Sequence, residues 1–149
     1  MTGPVLQRHR LVVRFSDCDP LAHVNNAVYL TYLEQARITL WRAQLGGWPW
    51  RDSQNTGRRE GFILARAEVD FRAQAREGDE LEVRLALGGF GRTSATYEYE
   101  IVNTVTGTIV AEARTVQVWI DYEAGRPLPL SESLRGQLSA AVEALAPKR

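Results

Sequence analysis

The sequence predicts an α+β fold: an antiparallel sheet of about five strands wrapped around one long central helix, with a second helix at the C-terminus. Three observations predict it. One uninterrupted segment, roughly residues 26–45, carries its apolar residues at helical spacing. The chain from Phe62 to Ile120 then alternates apolar and polar residues, the period of strands with one buried face. The breaks in that alternation are short and mostly glycine-bearing, as antiparallel neighbours require.

The bounds agree. At 149 residues the chain is read as a single domain, 1–149, large enough to bury a core. It is 44% hydrophobic and 24% charged, the balance of a soluble globular protein. Eighteen basic and 18 acidic residues cancel, so no overall field draws the chain to nucleic acid or to an anionic membrane. Cys18 is the only cysteine, which excludes an intrachain disulfide. The start of the chain lacks the apolar core of a signal peptide, and no apolar run approaches about 20 residues. A cytoplasmic protein is expected.

Residues 1–8 read as a tail, and Arg10 to Phe15 as a short strand rich in β-formers. Ser16 to Asn25 is a loop, because Pro20 holds Asp19 extended and keeps a helix from starting before it. Asn25 or Asn26 is the N-cap of the long helix. Tyr29, Leu33, Ala36 and Leu40 form its apolar stripe, and Gly46-Gly47 stop it. Gly46 to Gly61 reads as an irregular segment in which Trp48 and Trp50 cover the core, line a pocket or meet a second subunit. Four strands follow in meander. In the first, Ile63, Ala65, Ala67, Val69, Phe71 and Ala73 share a face. In the last, the apolar parity slips after Ala113 to Val116, Val118 and Ile120, which signals a bulge or a change of buried face. Leu134, Leu138, Val142 and Leu145 space a final helix that stops at Pro147.

The chemistry concentrates in one stretch. Phe15-Ser-Asp-Cys-Asp19-Pro, then His23-Val-Asn-Asn26, then Tyr29-Leu and Glu34-Gln-Ala-Arg37 resemble the signature of the 4-hydroxybenzoyl-CoA thioesterase-like family. The likeness covers roughly residues 9–122. It implies a hotdog fold, with the long helix as the sausage and the sheet as the bun. It also implies an acyl-CoA thioesterase working as a homodimer or homotetramer, with the acyl-CoA at the subunit interface. The family's catalytic carboxylate falls on Asp19, and its carbonyl-polarising amide falls near Asn26. Many members have glycine where this chain has Ala22.

The residues themselves support these roles. Thioester hydrolysis needs a nucleophile or an activated water, and donors for the developing oxyanion. The first turn of a helix offers unpaired N–H groups at the positive end of its dipole. Asp19, seven residues before Asn26 on a loop returning to that helix end, suits either direct attack or activation of water. The departing thiolate needs no strong acid. His23 orients Asp19, contacts substrate or is structural, and Asp17 reads as structural. Glu34 and Arg37 are spaced to pair along the helix. Cys18 is disfavoured as a nucleophile, because carboxylates flank it on both sides.

Other constellations fail. There is no G-x-S-x-G elbow, and two histidines with one cysteine make a poor metal site, so no metal is expected. No separate cofactor is expected either, since the CoA moiety belongs to the substrate. Its phosphates call for arginines. Arg92 and Ser94, after the Gly88-Gly89-Phe90-Gly91 turn, resemble the family's nucleotide contacts, and Arg66 is a further candidate alongside Arg58 and Arg59. Two rivals remain: an enzyme acting on acyl carrier protein, and a non-catalytic acyl-CoA-binding module.

Overall fold

In a computed structural model the chain is described at residues 1–47, 50–52 and 57–142, with backbone alone at 50–52. The elements are β1 (Val5–Val12), a 3-10 turn (Phe15–Asp17), α1 (Asn26–Leu45), β2 (Trp50–Asp52), β3 (Arg59–Phe71), β4 (Glu80–Phe90), β5 (Ser94–Asn103), β6 (Ile109–Asp121), β7 (Arg126–Pro127) and α2 (Glu132–Leu138). Among the described residues they form one antiparallel sheet, ordered β1-β4-β5-β6-β3-β2, with β7 on β6. Five strands are long; β2 and β7 are short additions.

The helix α1 lies on the inner face of this sheet. Its stripe of Tyr29, Leu33, Ala36 and Leu40 is buried, together with Tyr32, Arg37 and Trp41. Facing it are Leu81, Val83 and Leu85 of β4 and Ala95, Tyr97, Tyr99 and Ile101 of β5. Trp41 stacks on Phe62 at 4.9 Å, and Phe62 meets Trp119 edge-on at 4.9 Å. Asn25 caps the helix by accepting from the Ala27 amide at 2.9 Å. Gly46 ends it in the left-handed region, at φ 75°, where a side chain would be strained.

Several expectations need correction. The first strand starts at Val5, because Gln7 and Arg8 pair with Leu85 and Arg84 although neither is apolar. The segment before Gly61 is not wholly irregular: Trp50–Asp52 pairs with Arg59–Gly61. Trp48, and the side chain of Trp50, lie outside the described residues. The four strands are not a simple meander. β3 pairs with β6, so residues 72–79 carry the chain across the end of the sheet from β3 to β4.

Strand phase also differs. A bulge at Ala65 puts Leu64 on the same face as Ala67, Val69 and Phe71, while Ile63 turns outward with Arg66 and Glu68. The register of β6 against β5 runs without a break from Ala111 to Val118. Thr115 and Gln117 therefore face the helix, and Val116 and Val118 face outward. The last helix ends at Leu138; Ser131 caps it, and Val142 is no longer helical but donates its amide to the Leu6 carbonyl at 2.8 Å. Leu145 and Pro147 lie outside the described residues. Glu34 is exposed and Arg37 is buried, and no ion pair joins them.

Candidate active site

Local sequence explains the loop before α1. Cys18 and Val24 form an isolated antiparallel bridge, closing a hairpin whose tip is Asp19-Pro20-Leu21-Ala22-His23. The Ala22 amide donates to the Asp19 carbonyl and the Asp19 amide to the His23 carbonyl, each at 3.0 Å. Asp at the first position and Pro at the second suit a type I turn. Ala22 follows with φ 63°, the one non-glycine residue in the left-handed region among those described. A three-residue hairpin loop of this kind wants glycine there.

Asp17 pins the loop from below. Its carboxylate is 3% exposed and accepts from the Arg14 amide at 2.9 Å, the Arg14 side chain at 2.9 Å and the Tyr32 hydroxyl at 2.8 Å. Its carbonyl accepts the Asn25 amide at 3.0 Å. Burial pushes the Asp17 carboxyl up, but these hydrogen bonds outweigh it and hold it below the usual range. Burial and the adjacent carboxylate together push the Tyr32 phenol far up, so it stays a donor. The crossover after β3 closes the other side: Val24 donates to the Ala75 carbonyl at 2.8 Å, and Ala75 is fully buried.

The predicted catalytic residues gather at this end of the sheet. Asp19 is partly buried; one carboxylate oxygen accepts the Leu21 amide at 2.9 Å. The other lies 3.8 Å from His23 Nδ1, beyond a hydrogen bond. Asn26 opens the helix. The Ala27 amide is taken by the Asn25 side chain and the Val28 amide by the Asn25 carbonyl, whereas no acceptor among the described residues takes the Asn26 N–H. No acidic residue occupies the first turn, so the positive end of the dipole is not answered there.

Two concavities open around the hairpin. One, of about 260 Å³, is lined by His23, Asn26, Tyr29, Phe71, Ala73 and Gln74, with Val24 and Arg72. The other, of about 480 Å³, is lined by Phe15, Cys18, Asp19, Pro20, Ala22 and Glu77. Asn26 and His23 share the first concavity and Asp19 lines the second. Phe71, Ala73 and Gln74 were not predicted site residues; nothing in a linear reading shows that the segment after β3 crosses under the helix start.

The predicted CoA contacts lie elsewhere in the chain. Arg92 and Ser94 sit at the β4–β5 turn, at the opposite end of the sheet from Asp19, roughly 30 Å away along a strand of this length. Arg66 is exposed in the middle of β3 and ion-pairs with Glu68. Among the described residues, no cluster of three or more His, Cys, Asp or Glu side chains could hold a metal ion.

Comparison with known proteins gives consistent results. The family model of the thioesterase-like superfamily matches residues 13–138. The chain is 28% identical to the long-chain acyl-CoA thioesterase FadM of Escherichia coli K12, over 90% of this chain and 98% of that protein. It is 26% identical to the acyl-CoA thioester hydrolase YbgC of Escherichia coli O6:H1, over 82% and 87%. Among solved structures it is similar to a thioesterase from Thermus thermophilus in complex with coenzyme A and zinc. Identity there is 39%, coverage 93% of this chain and 99% of that one, and the TM-score 0.71.

Proposed function

The chain belongs to the thioesterase-like superfamily and is a thioester hydrolase, and from that premise we propose that it cleaves an acyl-CoA to the free acid and coenzyme A, with Asp19 as general base. Water attacks the thioester carbonyl while Asp19 takes its proton. The Asn26 N–H, at the positive end of α1, polarises the carbonyl and stabilises the oxyanion. Collapse of the tetrahedral adduct breaks the C–S bond, and the thiolate leaves. His23 shares the concavity of Asn26 and contacts the bound substrate there.

The observation that carries this reading is the Asn26 amide, left without an acceptor among the described residues, beside a partly open carboxylate across His23. The separate positions of Asp19 and Asn26 favour a water between them over direct attack by the carboxylate. Asp19 lines an open pocket and no arginine or lysine among the described residues closes on it, which argues against a merely binding module. No cofactor is required in this scheme; CoA enters as part of the substrate, and the reaction is assigned to the cytoplasm.

A second copy completes the site. From Phe62 to Phe71 the outer edge of β3 has no neighbouring strand among the described residues. Ile63, Leu64 and Phe71 along it are 43%, 47% and 47% exposed. Antiparallel pairing of two such edges about a two-fold axis brings the partner's β4–β5 turn toward this chain's Asp19 end. Arg92 and Ser94 of each chain then serve the CoA bound at the other, as the intrachain separation requires. A homodimer, or a homotetramer built from it, follows.

Single-turnover hydrolysis in ¹⁸O-water tests the base assignment. Labelled acid on the first turnover is expected. Unlabelled acid on the first turnover would mean attack by a protein carboxylate, and no acid from any acyl-CoA would remove the hydrolase reading.

A further inference from the structure

The core holds a cation that the chemistry above does not use. Arg37 is 5% exposed, in the middle of α1. Its partners are all neutral. One terminal nitrogen donates to the Tyr99 hydroxyl at 3.3 Å, and Tyr99 shares a 2.9 Å hydrogen bond with Thr115. With the Gln117 amide turned to satisfy its neighbours, its oxygen accepts from Arg37 Nε at 3.1 Å and its nitrogen donates to the Ile63 carbonyl at 3.2 Å. The guanidinium also lies 5.7 Å over the Trp41 ring. No carboxylate among the described residues pairs with it. An ion taken out of water without a counter-ion carries a desolvation penalty, and neutral hydrogen bonds offset only part of it.

The position of this cation is informative. Tyr29 meets Phe71 edge-on at 5.3 Å at one end of α1, and Trp41 stacks on Phe62 at the other. Between those contacts the inner face of β3 offers Val69, Ala67 and Leu64, and Leu64 is 47% exposed. Leu64 is the cross-strand partner of Gln117, which holds Arg37. An apolar strip therefore starts at the concavity holding Asn26 and runs beside α1 to the Arg37 cluster. Arg37 is eleven residues beyond Asn26, about 16 Å along the helix. An extended acyl chain of about a dozen carbons, with its thioester at Asn26, ends there.

We propose that Arg37 is a specificity-determining residue that selects acyl-CoAs whose chain ends in a carboxylate, the guanidinium receiving the distal anion at the end of the α1–β3 strip. This rests on the thioester-hydrolase reading and adds its substrate class. A carboxylate matches the planar fork bidentately and supplies the missing counter-charge. A methyl-ended chain of the same length leaves the cation unanswered. A short dicarboxylyl chain does not reach it.

The test compares kcat/KM for dodecanedioyl-CoA and dodecanoyl-CoA, with hexanedioyl-CoA and hexanoyl-CoA as the short pair. The wild type is expected to prefer the twelve-carbon dicarboxylyl substrate by about tenfold or more, the worth of one charge-assisted hydrogen bond, and to show no such preference in the short pair. In Arg37→Met the long-pair ratio falls to about one or below. If that variant does not fold, Arg37→Lys, which keeps the charge and loses the fork, is expected to lower the ratio without abolishing it. Equal rates on the long pair in the wild type, or a preference that survives Arg37→Met, overturn the assignment and leave the hydrolase reading intact. Failure to cleave any of the four substrates overturns both.

Discussion

Ala22 sits at φ 63°, where a Cβ crowds the following carbonyl. Replacing it with glycine removes a strain of about 1–2 kcal/mol and returns about 0.4–1 kcal/mol through the freer unfolded chain. Ala22→Gly is therefore expected to raise stability by about 0.5–1 kcal/mol, read as a higher midpoint in urea; a lower midpoint would contradict the turn geometry. Asp17 makes a second residue-scale prediction. Its carboxyl is held below the ordinary 3.8 in the folded state, so the unfolded chain binds its proton first as pH falls. Its stabilisation is complete above that ordinary value and is lost as pH drops through the lower folded one. Unfolding midpoints measured between pH 6 and 2 should fall steeply at the acid end in the wild type and less steeply in Asp17→Asn. At this scale the sequence was legible where residue type dictates backbone. Pro20 marked the loop that keeps the helix from starting early, and the cap was narrowed to Asn25 or Asn26, of which Asn25 is the one. The pinning of Asp17 by Tyr32 was not legible, because the pair is made by the helix turning its buried face onto the loop.

At the scale of elements, α1 was readable from end to end, since its period, cap and terminal glycine agree. The strands were readable as strands, but their faces were not. One residue, Ala65, is left over in the β3–β6 register, and from it onward every side chain of β3 changes sides relative to a strict alternation. The slip seen in β6 had a different origin. Two polar residues, Thr115 and Gln117, sit on the helix-facing side because Arg37 and Tyr99 give them partners. Apolar count alone misassigns such a strand. The same element carries the assembly prediction. Long unpaired edges with exposed apolar residues invite pairing, and Leu64 stands on the edge from Phe62 to Phe71. Leu64→Lys is expected to convert the proposed dimer to a folded monomer, measured by light scattering with circular dichroism as the check on folding. A wild type that is already monomeric at micromolar concentration would contradict pairing through β3.

For the whole molecule, the proposed function divides labour between the two ends of one sheet. The Asp19–His23 hairpin, the start of α1 and the crossover under it converge at one end. The β4–β5 turn with Arg92 and the C-terminal helix occupy the other. No helix in the described chain is long and apolar enough to cross a membrane. That Asp19, His23 and Asn26 come together at one end was legible because they lie within eight positions of one another. The relation of that end to Arg92 was not, because it depends on the order of strands in the sheet. Thiol release from acyl-CoAs, compared between the wild type and Asp19→Asn at matched folded concentration, tests the central claim most directly. Turnover is expected in the wild type, with a fall of about 10²–10⁴-fold in the variant, the usual contribution of a general base. Turnover undiminished in Asp19→Asn would contradict it.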